Sequence, residues 1–144
     1  MKTTYAAVLS FLLLLGLTYF SFYTHKPQQV SGLDTPATKF STARAFQLLD
    51  SIAQKPHAVG MPAHQEVQDF IVTTLEEYGL EVELQSDFAY KPGWGALSRA
   101  ENIITRIPGT GEGETLLVMT HYDSAPHTAS KGASDAGSGV VTIL

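Results

Sequence analysis

The stretch from Thr115 to Asp123, TLLVMTHYD, decides how this chain is read. Thr115 to Thr120 is almost wholly apolar, the composition of a strand covered on both faces, and such a strand is expected at the centre of a sheet. In α/β sheets chemistry gathers at the carboxyl ends of the central strands, and that position is held here by His121 and Asp123. Two residues apart on an extended chain, their side chains project from the same face. This spacing suits a metal ligand and its orienter, because a metal-bound histidine usually donates its other ring N–H to a carboxylate. A hydrogen-bonded structural histidine is the competing reading, and the residues alone leave both open.

Downstream, residues 132–139 read GASDAGSG, with Asp135 in a tight turn and Gly137 to Gly139 opening a helix. A carboxylate so placed can turn both oxygens toward metal, as two zinc ions about 3.5–4 Å apart require. It can equally cap the helix, the commoner fate of such an aspartate. Residues 137–144, GSGVVTIL, show no cap, polar tail or breaker, so the chain is expected to be cut there in mid-element. His57 and His127 read as loop residues without a partner pattern, and His64 as a solvated helix position.

Upstream, Ser41 can cap a helix with Ala45, Phe46, Leu49, Ile52 and Ala53 on one side, stopped by Pro56. Pro62 suits the first turn of a second helix, along which Ala63, Val67, Phe70, Ile71, Leu75 and Tyr78 form a stripe. Gly79 is placed to end that helix in a left-handed turn. The period then changes to two at Leu80, Val82 and Leu84, which predicts a half-buried strand. Residues 90–98, YKPGWGALS, are expected to form a loop, residues 102–107 a further strand, and residues 108–113 a turn. Helices followed by strands, with a buried strand leading to another helix, predict an α/β sandwich with a mixed sheet.

Residues 5–23, YAAVLSFLLLLGLTYFSFY, are uncharged and long enough to cross a bilayer as a helix. A signal peptide is the alternative, but the bulky aromatic end of the run favours an uncleaved anchor. The expected order is a cytoplasmic start at 1–4, the anchor at 5–23, a tether at 24–40 and a folded domain from 41 to 144, on the extracytoplasmic or lumenal side. Among 144 residues the net charge is −5, with no basic cluster, so no nucleic-acid partner is expected. Cysteine is absent, which leaves His and carboxylates as the only strong metal ligands.

Together, HYDS at 121–124 and GASDAGSGV at 132–140 resemble the co-catalytic zinc aminopeptidase family, which includes the bacterial leucyl aminopeptidases and the aminopeptidase Y type enzymes. Its pattern is H-x-D-S followed by G-x-x-D-D/N-x-S/A-G. Residues 55–64 (KPHAVGMPAH), 77–82 (EYGLEV) and 101–110 (ENIITRIPGT) are similar to its entry helices and first strands, so the likeness covers about Ser41 to Leu144. The resemblance implies a three-layer sandwich of zinc exopeptidase type and two zinc ions per complete site. It makes His121 a terminal ligand, Asp135 the carboxylate bridging both metals, and Asp123 the partner of His121. In that family the peptide bond after the bridging aspartate tends to be cis, and Ala136 stands where Asp or Asn is common. The family's paired glutamates, one of them the general base, and a later Asp and His lie beyond the last motif, so this chain taken alone is expected to be inactive. The implied substrate is the N-terminus of a peptide or protein.

Three other readings are weighed. A serine hydrolase would need G-x-S-x-G, which residues 132–136 approach and then miss at Ala136. A non-catalytic peptidase-like ectodomain or binding module would keep the fold without the chemistry. A glutaminyl cyclase has a similar fold and uses a single zinc.

Overall fold

In this computed structural model residues 2–27 and 29–144 are described; Met1, in the expected cytoplasmic start, and Gln28, in the expected tether, lie outside the described residues. The chain divides into two compact units, Met1–Ser41 and Thr42–Leu144.

The first unit is dominated by helix α1, Lys2–His25. Its stretch Thr4–His25, 22 residues at mean hydropathy 1.9, is long and apolar enough to cross a membrane. At 1.5 Å per residue it spans about 33 Å, matching a hydrocarbon core of roughly 30 Å. The expected tether is irregular but not fully extended. Ser31 Oγ donates to the Phe40 carbonyl (3.2 Å) and Ser41 Oγ to the Gly32 carbonyl (2.7 Å), which closes residues 31–41 into a loop.

The second unit opens with α2, Thr42–Ile52, and α3, Pro62–Glu77. Pro62 starts α3, where its missing N–H costs nothing. Gly79 follows the helix with φ 78°, and Leu80 N–H reaches back to the Leu75 carbonyl at 3.1 Å. Val67, Ile71 and Leu75 of the expected stripe are buried, whereas Tyr78 is exposed. They join Ala45, Ile52, Val140 and Val141 in one apolar cluster, flanked by Leu48, Leu49 and Phe70.

The sheet differs from the expected mixed one. Strands β1, Val82–Lys91, and β2, Ala96–Thr105, pair antiparallel from Val82 with Thr105 to Lys91 with Ala96. The loop expected over 90–98 therefore contracts to the turn at 92–95, where Gly95 adopts φ 58°. Only the base of the hairpin reaches the core, through Val82 and Ile103. Phe88, Tyr90 and Leu97 are exposed, so the alternation that starts at Leu80 is not continued as burial.

Residues 115–120 form no strand, and this corrects the central, doubly covered strand read from their composition. Leu116 is 84% exposed, and Leu117, Val118 and Met119 are exposed too. An apolar run adopts a ladder only when neighbouring backbone supplies its hydrogen bonds, and among the described residues the single sheet is the β1–β2 hairpin. The chain ends in a tight kinked turn at Ala133–Gly137 and helix α4, Ser138–Ile143, whose Val140 and Val141 enter the core beside α2.

Candidate metal centre

Although 115–120 is not a strand, its continuation is held in place. Tyr122, between His121 and Asp123, points the opposite way from them and stacks on His64, with ring centroids 4.7 Å apart. Its hydroxyl accepts from Gln68 Nε2 (3.0 Å) and donates to the Glu101 carbonyl (3.1 Å), tying the segment to α3 and β2. Burial raises the phenol's pKa, opposed by the Gln68 hydrogen bond and reinforced by the charges of Glu101 and Asp123.

On the other side His121 and Asp123 meet. His121 Nδ1 lies 3.0 Å from Asp123 Oδ1 and 3.2 Å from the Asp123 carbonyl, so the N–H belongs on Nδ1. Nε2 lies 3.0 Å from Asp135 Oδ1. Asp135 is carried there by the kink at 133–137, where its backbone leaves helical values (φ −122°, ψ 97°) and the Asp135–Ala136 bond is cis. The three residues singled out in the sequence thus line up as Asp123, His121, Asp135.

With Nδ1–H given to Asp123, Nε2 and Asp135 Oδ1 face each other lone pair to lone pair. Two acceptors at 3.0 Å need a cation between them, either a proton or a metal. Burial disfavours protonation of His121, but the hydrogen bonds and charges of Asp123, and then of Asp135, outweigh it and raise its pKa. Zinc fits the same gap. With Zn–N and Zn–O bonds of about 2.0–2.2 Å and tetrahedral angles, two donors on one ion sit roughly 3.3 Å apart. Stability does not explain the pair, since the side chains are 54% and 82% exposed and such surface pairs contribute about 0–1 kcal/mol. No group of three His, Asp or Glu arranged to hold one metal ion is found among the described residues. Of the four donors that zinc usually takes, His121 and Asp135 could offer two. Beside them opens a cleft of about 560 Å³, lined among others by His64, Met119, Tyr122 and Val140.

Two histidines are placed otherwise than the sequence suggests. His64, read as solvated, is 7% exposed beneath Tyr122, and its burial lowers its pKa despite the nearby charges of Asp123 and Glu101. His57, read as a loop residue, is 1% exposed and bonds through its main chain to Ser124. The apolar positions of α3 fall on the side of His64, which offered one available signal; nothing in the spacing around His57 offered another. His127 stays in an exposed loop with φ 58°.

Residues 102–144 match the sequence profile of Peptidase family M28, so the resemblance carried by the HYDS and GASD motifs is shown over that segment. Similar curated proteins are the vacuolar membrane protease of Candida albicans (strain WO-1), 32% identical over 131 residues, and that of Coprinopsis cinerea, 28% identical over 138. The alignments cover 86% and 81% of this chain but 15% and 14% of those proteins. The chain thus spans about 15% of the length of the first of these relatives. Among solved structures, a crystal structure of an Acidobacteriales bacterium glutaminyl cyclase superposes with TM-score 0.62 at 27% identity, over 81% of this chain and 41% of that one.

Proposed function

We propose that this chain is part of a membrane-anchored, zinc-dependent exopeptidase that removes residues from the N-termini of peptides or proteins. One observation carries the reading: His121 Nε2 and Asp135 Oδ1 face each other at 3.0 Å while Asp123 holds the far side of the ring. The M28 match and the vacuolar membrane protease relatives support peptide hydrolysis at a membrane. Residues 5–23 would be the anchor, 24–40 the tether and 41–144 part of a three-layer peptidase domain with a mixed sheet, on the lumenal or extracytoplasmic side. The boundary between compact units at Ser41 supports that division.

In this reading His121 would be a terminal zinc ligand, Asp123 would fix its tautomer, and Asp135 would be the carboxylate shared by two zinc ions. Bound zinc supplies Lewis-acid polarisation of a peptide carbonyl and acidifies water at neutral pH. Asp123 keeps the Nε2 lone pair aimed outward. The backbone kink at Asp135 turns its carboxylate toward the histidine. Two donors hold zinc weakly, so the chain by itself is expected to show weak binding and no turnover.

The test is a zinc titration of the chain in micelles, followed by NMR through the backbone amide resonances of Tyr122 and Ala136, which flank His121 and Asp135. Saturable shifts that vanish in His121→Ala and weaken at least tenfold in Asp135→Asn are expected; shifts unchanged by both substitutions would overturn the site. A second reading, glutaminyl cyclisation, is favoured by the cyclase superposition. Protein tagged at its native locus and purified from membranes decides between them. Release of free amino acids from peptides, abolished by chelation, supports the exopeptidase; loss of ammonia from N-terminal glutamine supports the cyclase.

A further inference from the structure

We infer that His57 is a positioning residue for the metal centre, its main chain paired with the segment that carries His121 and its buried imidazole packed against the turn that carries Asp135. This rests on the metal reading proposed above. His57 and Ser124 are, with Ile52, the largest fully buried side chains, at 1% and 0% exposure. His57 N–H donates to Ser124 Oγ (2.8 Å), and Ser124 N–H donates back to the His57 carbonyl (3.4 Å). The ring is fixed from behind by Nδ1, 2.8 Å from the Lys55 carbonyl.

The opposite edge of the ring meets the second motif. Gly132 adopts φ 66°, and a Cβ there would lie 3.1 Å from His57 Cε1, 3.2 Å from His57 Nε2 and 3.1 Å from Ser124 Cβ. Gly132 in turn accepts the Gly137 N–H at 2.7 Å, which closes the kinked turn around Asp135. Ser124 comes three residues after His121, and Gly132 three before Asp135. One residue therefore sets the relative position of both motifs, through its main chain on the first and its ring on the second, at short backbone lever arms on each. Residues 125–131 between them contribute no such restraint, since 126–131 are exposed. Ser124 Cβ packs beside Gly132 as well, but among the described residues no hydrogen bond joins Ser124 to the Gly132 turn.

The experiment compares the parent chain with His57→Ala and His57→Asn, the latter keeping an N–H able to reach the Lys55 carbonyl. Two quantities are read in micelles: hydrogen exchange of the Ser124 and Gly137 amides without metal, and zinc affinity from the His121 resonances. Exchange at α3 amides monitors the overall fold. In His57→Ala the Gly137 amide is expected to lose protection while α3 keeps its own, and zinc affinity to fall 10- to 100-fold, the range for partners of metal ligands. His57→Asn should recover most of both. Unchanged affinity in His57→Ala overturns the inference, whether or not exchange rises, because His57 would then be structural only. If the parent binds no zinc through His121, the metal reading fails; Gly137 exchange still judges the clamp, which stands if protection falls and is overturned if it is retained.

Discussion

Ser124→Ala removes a single oxygen and tests the junction directly. That oxygen accepts the His57 N–H at 2.8 Å, and both residues are fully buried, so no solvent replaces it. Leaving a buried amide unpaired costs about 1–3 kcal/mol. For a unit the size of Thr42–Leu144, each kcal/mol lowers the melting temperature by about 4–8 °C, giving a fall of roughly 4–24 °C. Thr128→Ala is the matched control: its hydroxyl donates to the Ala125 carbonyl at 3.0 Å in an exposed loop, where substitutions usually stay within about 0.5 kcal/mol. Exchange of the slowest α3 amides, read by NMR, reports the global free energy of each variant. If Ser124→Ala lies within about 0.5 kcal/mol of the parent, or matches Thr128→Ala, the argument from burial is wrong.

Acidification should destabilise the second unit through His64. Its folded pKa is lowered, so the unfolded chain binds the proton more readily; the stability it contributes is complete above the unfolded value near 6.5 and is lost as pH falls through the folded value. Denaturation midpoints measured from pH 8 downward should fall more steeply in the parent than in His64→Phe, which keeps a ring against Tyr122; equal slopes would refute the assignment. His121 acts in the opposite sense: its raised pKa adds stability at low pH that is lost as pH rises through the folded value, but its exposure makes this contribution small. In the first unit, Leu14→Arg places a charge near the middle of α1 and should disfavour insertion by about 2.5–3.5 kcal/mol. Carbonate extraction of membranes should then release the variant and retain the parent.

What could be read in the sequence was what local chemistry dictates. Helix α3 was legible because Pro62, a three-and-four stripe and Gly79 mark its start, face and end, and all three act within the helix itself. The trio of Asp123, His121 and Asp135 was legible as residue types at characteristic spacings, and the structure aligns them. The run at 115–120 misled because composition reports what a segment prefers to be covered by, not whether covering elements are adjacent. The hairpin extends through the expected loop because strand pairing satisfies the backbone even where side chains on both faces remain exposed. His57 and His64 were hidden for a different reason: a buried histidine is defined by partners far along the chain, Ser124 for one and Tyr122 for the other.

The clamp also has an evolutionary corollary for residues 125–131. A loop whose two ends are fastened to the same residue has a fixed span, so its length is uncoupled from the spacing of the groups outside it. Lengthening such a loop costs little, about 0.6 kcal/mol per doubling. Insertions there, or an epitope tag, are compatible with an intact junction, and this is where natural variants of the segment are free to differ in size.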